Sequence, residues 1–255
     1  MNSHFNEEEY NKLIEKYNYK DMLHDAFKQV ITPKFKKHGF KKKGKTFYRE
    51  REGIIEICEV QYSRGNHRTT ASFTYNISIA VPSLYSKLGI QENNKLNTTI
   101  CDLSFGELVR WAYNLPAYVD SWYYLEAYSQ EEPSVVYYEV ELSEAEISQQ
   151  KEFKSNWENR YNVKTGEGFN EVLVEDIENV ILPFFQSIPD AESLLEYLSN
   201  EKPKREIDEQ MMYQLGHRYY ENGEKEKGRE ILKRIRNGSY KEAIIDDIES
   251  GRIVL

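Results

Sequence analysis

Apolar residues recur at three- and four-residue steps through the first forty positions. Leu13, Ile14 and Tyr17 share one face; after a break near Asn18-Tyr19, Leu23, Ala26, Phe27, Val30 and Ile31 keep the same steps, and Phe35 carries the stripe past Pro33. The spacing predicts helix over residues 6–38, either kinked at Pro33 or restarted there behind Thr32 as cap. Gly39 fits the left-handed stop that ends such a helix. The period then changes from 3.6 to 2. Residues 46–52 and 54–62 predict two strands about a turn at Gly53, and a second turn falls at Gly65-Asn66. Residues 69–81 alternate most strictly: Ala71, Phe73, Tyr75, Ile77, Ile79 and Val81 point one way, Thr70, Ser72, Thr74, Asn76 and Ser78 the other. That pattern predicts a half-buried strand with one solvated face, and three strands in series predict an antiparallel meander.

The middle of the chain is less regular. Residues 83–88 suit a helical turn, 91–94 a loop, and 104–113 either a short helix or irregular chain over the sheet. Residues 120–128 and 134–142 read as a second strand pair. Ser143 and Glu146 have capping-box spacing, which predicts a helix from Glu144 to about Tyr161, with Gly166 and Gly168 breaking the chain after it. Val172, Val174, Ile177, Val180, Ile181 and Phe184 form a broad apolar face over 170–187, with Pro183 expected to end or kink that helix. Asp190 is expected to cap a short helix carrying Leu194, Leu195 and Leu198. The polar, proline-containing run 199–205 is the best linker. Beyond it, Leu215-Gly216-His217-Arg218-Tyr219, Gly223, Gly228, Leu232 and Ile235 resemble one tetratricopeptide-type helical hairpin, with Gly228 where such repeats commonly carry alanine. One such unit cannot bury its own face, so it should pack on something else, and a short helix over 240–250 would cover its end. The expected fold class is therefore α+β: an antiparallel meander sheet packed by N-terminal and later helices, plus a C-terminal α-hairpin, with residues 1–200 as one domain and 201–255 as the helical extension.

Composition narrows the class. The chain has 255 residues, 39% hydrophobic and 13% aromatic with 20 tyrosines, too much large apolar surface for a disordered chain. No run nears a membrane span, and Met1 is followed within a few residues by three glutamates, so neither a membrane protein nor a secretory signal is expected. Cys58 and Cys101 lie far apart in apolar surroundings and read as buried inert thiols of a cytoplasmic protein.

Charge is uneven. The net formal charge is −9, yet residues 28–51 hold ten Lys or Arg against Glu50 alone. A basic island in an acidic protein suits an acidic partner, a phosphorylated ligand or nucleic acid; a solvated turn balancing acidic helices nearby is the plain structural alternative. Candidate contacts there are Lys41, Lys42, Lys43, Lys45 and Arg49. Arg110, in Arg110-Trp111-Ala112-Tyr113, and Asp120 with Trp122 mark the most aromatic stretch, which suits either an interface or a core. No phosphate loop, H-E-x-x-H, G-x-S-x-G or G-x-G-x-x-G motif is present, and the five histidines are scattered, so no cofactor or metal is expected. Pairs such as Asp246-Asp247 and Glu131-Glu132 read as solvated faces rather than acid/base dyads.

Gly39-Phe40-Lys41-Lys42-Lys43-Gly44-Lys45-Thr46-Phe47-Tyr48-Arg49, then Gln61-Tyr62-Ser63, Phe73 with Asn76, Asp120 with Trp122, and Val180-Ile181-Leu182-Pro183-Phe184-Phe185 followed by Leu194-Leu195-Glu196-Tyr197-Leu198 resemble the bacterial family DUF4304 over about residues 20–200. The resemblance implies a compact α+β domain with no established catalytic residues, of a kind associated with toxin–immunity or defence neighbourhoods. Residues 130–168 look longer than usual for it, and the hairpin after 205 is an addition. Family-like positions add Gln61 and His67 to the candidate contacts, and Arg64 is a further candidate contact beside them. Arg49, Gln61, His67 and Asp120 are also the residues an enzyme reading would start from. The functional expectation is a non-catalytic cytoplasmic protein-binding module with a toxin or defence component as partner; the alternatives are nucleic-acid binding through residues 34–51 and an unrecognised enzyme.

Overall fold

The computed structural model describes residues 7–82, 101–115, 122–126, 143–149, 152–153, 162–163, 168–200, 212–213, 216–217, 219–220, 223–235 and 239–252. The loop expected at 91–94, the strand at 134–142, the linker after Asn200 and Asp120 all lie outside these residues.

Helix α1 spans Glu7–Lys16 and α2 spans Tyr19–Ala26. The break between them is a cap: the Asn18 side chain accepts a hydrogen bond from the Asp21 amide. Arg68 closes the other side of the break by donating to the Ile14 carbonyl at 3.2 Å, on the last turn of α1.

Helix α2 continues through a five-residue π turn, Phe27–Ile31, into α3, Thr32–Lys37. At Pro33 the chain does not restart behind Thr32 as cap. Thr32 has helical dihedrals, its side chain caps nothing, and its amide bonds five residues back to the Phe27 carbonyl. Proline lacks an N–H and its ring strikes the carbonyl four residues earlier; one extra residue in the preceding turn makes room for it. The same solution recurs at Pro183. Helix α5, Phe169–Asp176, enters a π turn at Ile177–Ile181 and leaves as α6, Leu182–Ser187, with the Leu182 amide on the Ile177 carbonyl. Both passages read Val-Ile-x-Pro-x-Phe: Val30 to Phe35 and Val180 to Phe185.

Helix α3 ends as expected at Gly39, whose φ is +83°. The Phe40 amide bonds to the Phe35 carbonyl and the Gly39 amide to the Lys36 carbonyl. This is a Schellman stop, and its apolar contact is the Phe35–Phe40 ring pair at 5.2 Å.

The sheet begins immediately after. Strands β1 (Lys41–Lys43), β2 (Thr46–Arg51), β3 (Ile54–Tyr62) and β4 (Thr70–Ala80) form the antiparallel meander. Strand β1 escaped the sequence pattern because three lysines carry no alternation. Gly44, with φ +63°, opens the two-residue turn to β2, and Glu52-Gly53, both at positive φ, form the turn to β3. Strand β6 (Tyr123–Glu126) pairs antiparallel to β4, β7 (Asn162–Val163) pairs parallel to β6, and β5 (Cys101–Ser104) also pairs with β4. The expected solvated face of β4 is only partly so: Thr74 is buried and Ser72, Asn76 and Ser78 are half-buried. Helix α4, Phe105–Ala112, is capped by a Ser104/Glu107 box, and the expected Ser143/Glu146 box is present as well.

The chain divides into two compact units: Met1–Arg49, Glu56–Ile77 and Asp102–Gln186 form one; Glu50–Ile55, Ser78–Cys101 and Ser187–Leu255 form the other. The first has an aromatic core. Phe35 stacks on Phe47 at 4.6 Å, Phe73 stacks on Tyr123 at 4.6 Å, and Phe40 touches both post-proline rings, Phe35 at 5.2 Å and Phe185 at 5.7 Å. The Tyr123 hydroxyl donates to the buried Asp176 carboxylate at 2.7 Å.

In the second unit, Asp190 caps helix α7 (Ala191–Asn200) by accepting from the Ser193 amide. Residues 212–213, 216–217 and 219–220 are helical, followed by α8 (Lys225–Leu232) and α9 (Ser239–Glu249). A Cβ on Gly228 would lie 2.6 Å from the Gly216 carbonyl oxygen, so the two helices meet backbone to backbone and even alanine is too large.

Truncating Phe40 removes the ring shared by both proline-bearing helices. Phe40→Ala is expected to lower unfolding free energy by about 3–5 kcal/mol, read from urea denaturation followed by tyrosine fluorescence.

Candidate interaction site

Strand alternation decides which basic residues are available. On β2 the core face carries Phe47 and Arg49; on β3 it carries Ile54, Glu56, Cys58 and Val60. Arg49 and Glu56 therefore meet inside. The Arg49 Nε donates to Glu56 Oε2 at 2.6 Å, its Nη1 donates to the His38 carbonyl at 2.7 Å, and its guanidinium lies 4.5 Å from the centre of the Phe40 ring. The Glu56 side chain is 0% exposed. Arg49 is thus a clamp binding the end of α3 to the meander. The sequence reading missed Glu56, although a lone carboxylate among isoleucines on the core face of a strand was the available signal.

The lysines separate into two kinds. Register pairs Lys42 with Phe47, which puts Lys42 on the core side, and its Nζ lies 4.8 Å from the centre of the Phe27 ring. Lys45 covers Tyr62 in the same way at 4.0 Å. In both, the ammonium faces an aromatic ring within cation–π range while the residue stays exposed. Lys41 and Lys43 pair with Tyr48 and Thr46 and project from the opposite face. Lys36, Lys41 and Lys43 are exposed, and no carboxylate among the described residues is paired with them; Lys37 is exposed as well but helps hold the Glu178 carboxyl below its ordinary value. Lys34, by contrast, is ion-paired with Glu178.

The other candidates do not gather around this edge. Gln61 lies on the outer face and accepts from Asn76 Nδ2 at 2.7 Å. Arg64 and His67 are exposed in the β3–β4 turn, where His67 Nδ1 accepts from the Thr69 amide at 3.3 Å. Arg110 Nε donates to the Leu115 carbonyl at 3.3 Å and closes the end of α4. Trp122 is half-buried beside β6. The aromatic stretch divides: Tyr123 and Leu125 are core, whereas Trp111 is 39% and Tyr113 42% exposed.

A second polar cluster overturns the reading of Asp247 as a solvated residue. Its carboxylate is buried in the second unit, accepting from Tyr213 Oη at 2.6 Å, lying 2.6 Å from His217 Nε2, and ion-paired with Arg252 at 2.6 Å. Helical spacing puts Asp247 on the same inward face as the buried Ile244. The Tyr213 and His217 contacts tie α9 to the preceding helical residues, and Arg252 closes the turn at its own end. Among the described residues no group of three His, Cys, Asp or Glu is placed to hold a metal, and no helix is long and apolar enough to cross a membrane. Both cysteines are buried and neither forms a disulfide, and burial pushes the Cys58 thiol well up.

A family model described as a domain of unknown function (DUF4304) matches residues 31–187, more than half of the chain. No curated protein and no solved structure matches it.

Two measurements check the clamp. Arg49→Met takes the guanidinium from a buried carboxylate and is expected to cost about 3–5 kcal/mol, while Arg49→Met with Glu56→Leu recovers most of that loss; additive costs in the double-mutant cycle would refute the pairing. His38 titrates below its ordinary 6.5, held down first by burial and then by Lys34 and Lys37. A depressed histidine contributes stability above its unfolded value and loses it as pH falls through the folded one. Melting temperature should therefore fall on acidification below pH 6.5 less steeply in His38→Gln than in the parent.

Proposed function

The chain belongs to the DUF4304 family, and from that premise we propose that it is a non-catalytic protein-binding module whose basic hairpin edge takes an acidic partner. One observation carries the reading: Lys36, Lys41 and Lys43 stand exposed and without carboxylate partners among the described residues, in a chain of net charge −9. Unneutralised charge of one sign on one edge attracts its opposite and speeds encounter. Arg49, from which an enzyme reading would start, and Arg110, a candidate contact, both make hydrogen bonds within the fold. The partner is a toxin or defence-system component met in the cytoplasm, a compartment in which two reduced thiols persist. The C-terminal hairpin, with glycines in backbone contact, acts in this reading as a tetratricopeptide-like appendage.

A specific observation favours nucleic acid as the second reading. Tyr48 pairs with Lys41 and is half-buried, a ring beside a cation of the kind that single strands stack on.

Affinity capture of the tagged chain from its host, with and without nuclease and at low and high salt, separates the readings. The expected result is a stoichiometric acidic protein that survives nuclease and is lost with Lys41→Glu plus Lys43→Glu. Nuclease-sensitive material, or an unchanged partner in the double variant, would sink the proposal.

A further inference from the structure

The basic edge has main-chain chemistry as well as charge. Strand β1 is the terminal strand of the sheet, and among the described residues only β2 pairs with it. The register joins Lys43 to Thr46 across the two-residue turn Gly44-Lys45. A two-residue hairpin makes that flanking pair the hydrogen-bonded one, and the pattern alternates along an antiparallel ladder. Lys42, opposite Phe47, therefore directs its own N–H and C=O away from β2. Lys41 and Lys43 flank it with both side chains on one face, and alternate residues of an extended strand are roughly 7 Å apart.

We infer that β1 takes an extended acidic peptide by strand addition, with the peptide main chain on the Lys42 N–H and C=O and carboxylates at alternate positions against Lys41 and Lys43. This rests on the acidic-partner reading and specifies its form. The outward donor and acceptor together select a peptide, which offers both complements; a phosphate backbone offers acceptors and leaves the Lys42 carbonyl unsatisfied. Exposed lysines on an edge strand also repel another copy of the same edge, so self-association is disfavoured while an acidic strand is admitted.

The test uses the full chain and three fluorescent probes of equal length: a peptide alternating valine and glutamate, the same peptide with its alternate amides N-methylated, and oligothymidylate. The alternating peptide is expected to bind, and N-methylation, by removing main-chain donors, to weaken it about tenfold or more. Lys41→Glu plus Lys43→Glu, at exposed positions, should leave the circular dichroism spectrum unchanged and abolish binding. Equal binding of both peptides with loss in the double variant would overturn strand addition and leave the acidic-partner reading standing. No peptide binding would also overturn strand addition, with the partner reading then resting on affinity capture. Tighter binding of oligothymidylate than of either peptide would overturn both.

Discussion

The first unit depends on the position of one guanidinium. Arg49 sits on the core face of β2, where a charge is costly unless fully partnered, and it finds the buried Glu56 on β3 and the His38 carbonyl at the end of α3. The end of a helix offers unpaired carbonyls, and a cation there is favoured both by hydrogen bonding and by the helix dipole. The pairing also fixes direction. With Arg49 on Glu56 and Phe40 under the guanidinium, the chain must leave α3 through the left-handed Gly39 and turn directly into β1. Lys41 and Lys43 are thereby carried on a paired strand, directly after the helix end.

This arrangement gives a physical meaning to the stretch from Gly39 to Arg49 that carries the family resemblance. Gly39 supplies the positive φ, Phe40 fills the space between Phe35 and Phe185, Gly44 opens the turn, Phe47 stacks on Phe35, and Arg49 makes the clamp. These residues secure the joint between helix and sheet. Within the same stretch, Lys41 and Lys43 take no part in this joint and face outward.

Much of the scaffold was legible because burial writes simple periods into a chain. The 3.6-residue stripe of 23–35, the alternation of 71–81, the stop at Gly39 and the Ser143/Glu146 cap are all local signals. What escaped required knowledge of which residues meet, whether near or far in sequence. Strand β1 has no alternation, Glu56 looks solvated until Arg49 is placed beside it, and Asp247 looks solvated until Tyr213 and His217 come to it across thirty residues or more. The basic island was visible as composition, but composition could not separate Lys42 and Lys45, laid over aromatic rings, from Lys41 and Lys43, which face outward.

The two π turns bear on how related sequences should be aligned. Each holds one residue more than an α-turn needs, placed just before a proline. A relative lacking that residue would have everything beyond it rotated by about 100°, carrying the ring at the position of Phe35 or Phe185 out of register with Phe40. The extra residue and the proline therefore form a single structural unit. A one-residue gap at 27–31 or 177–181 in any alignment should coincide with loss of Pro33 or Pro183, and a gap that leaves the proline in place marks a misalignment.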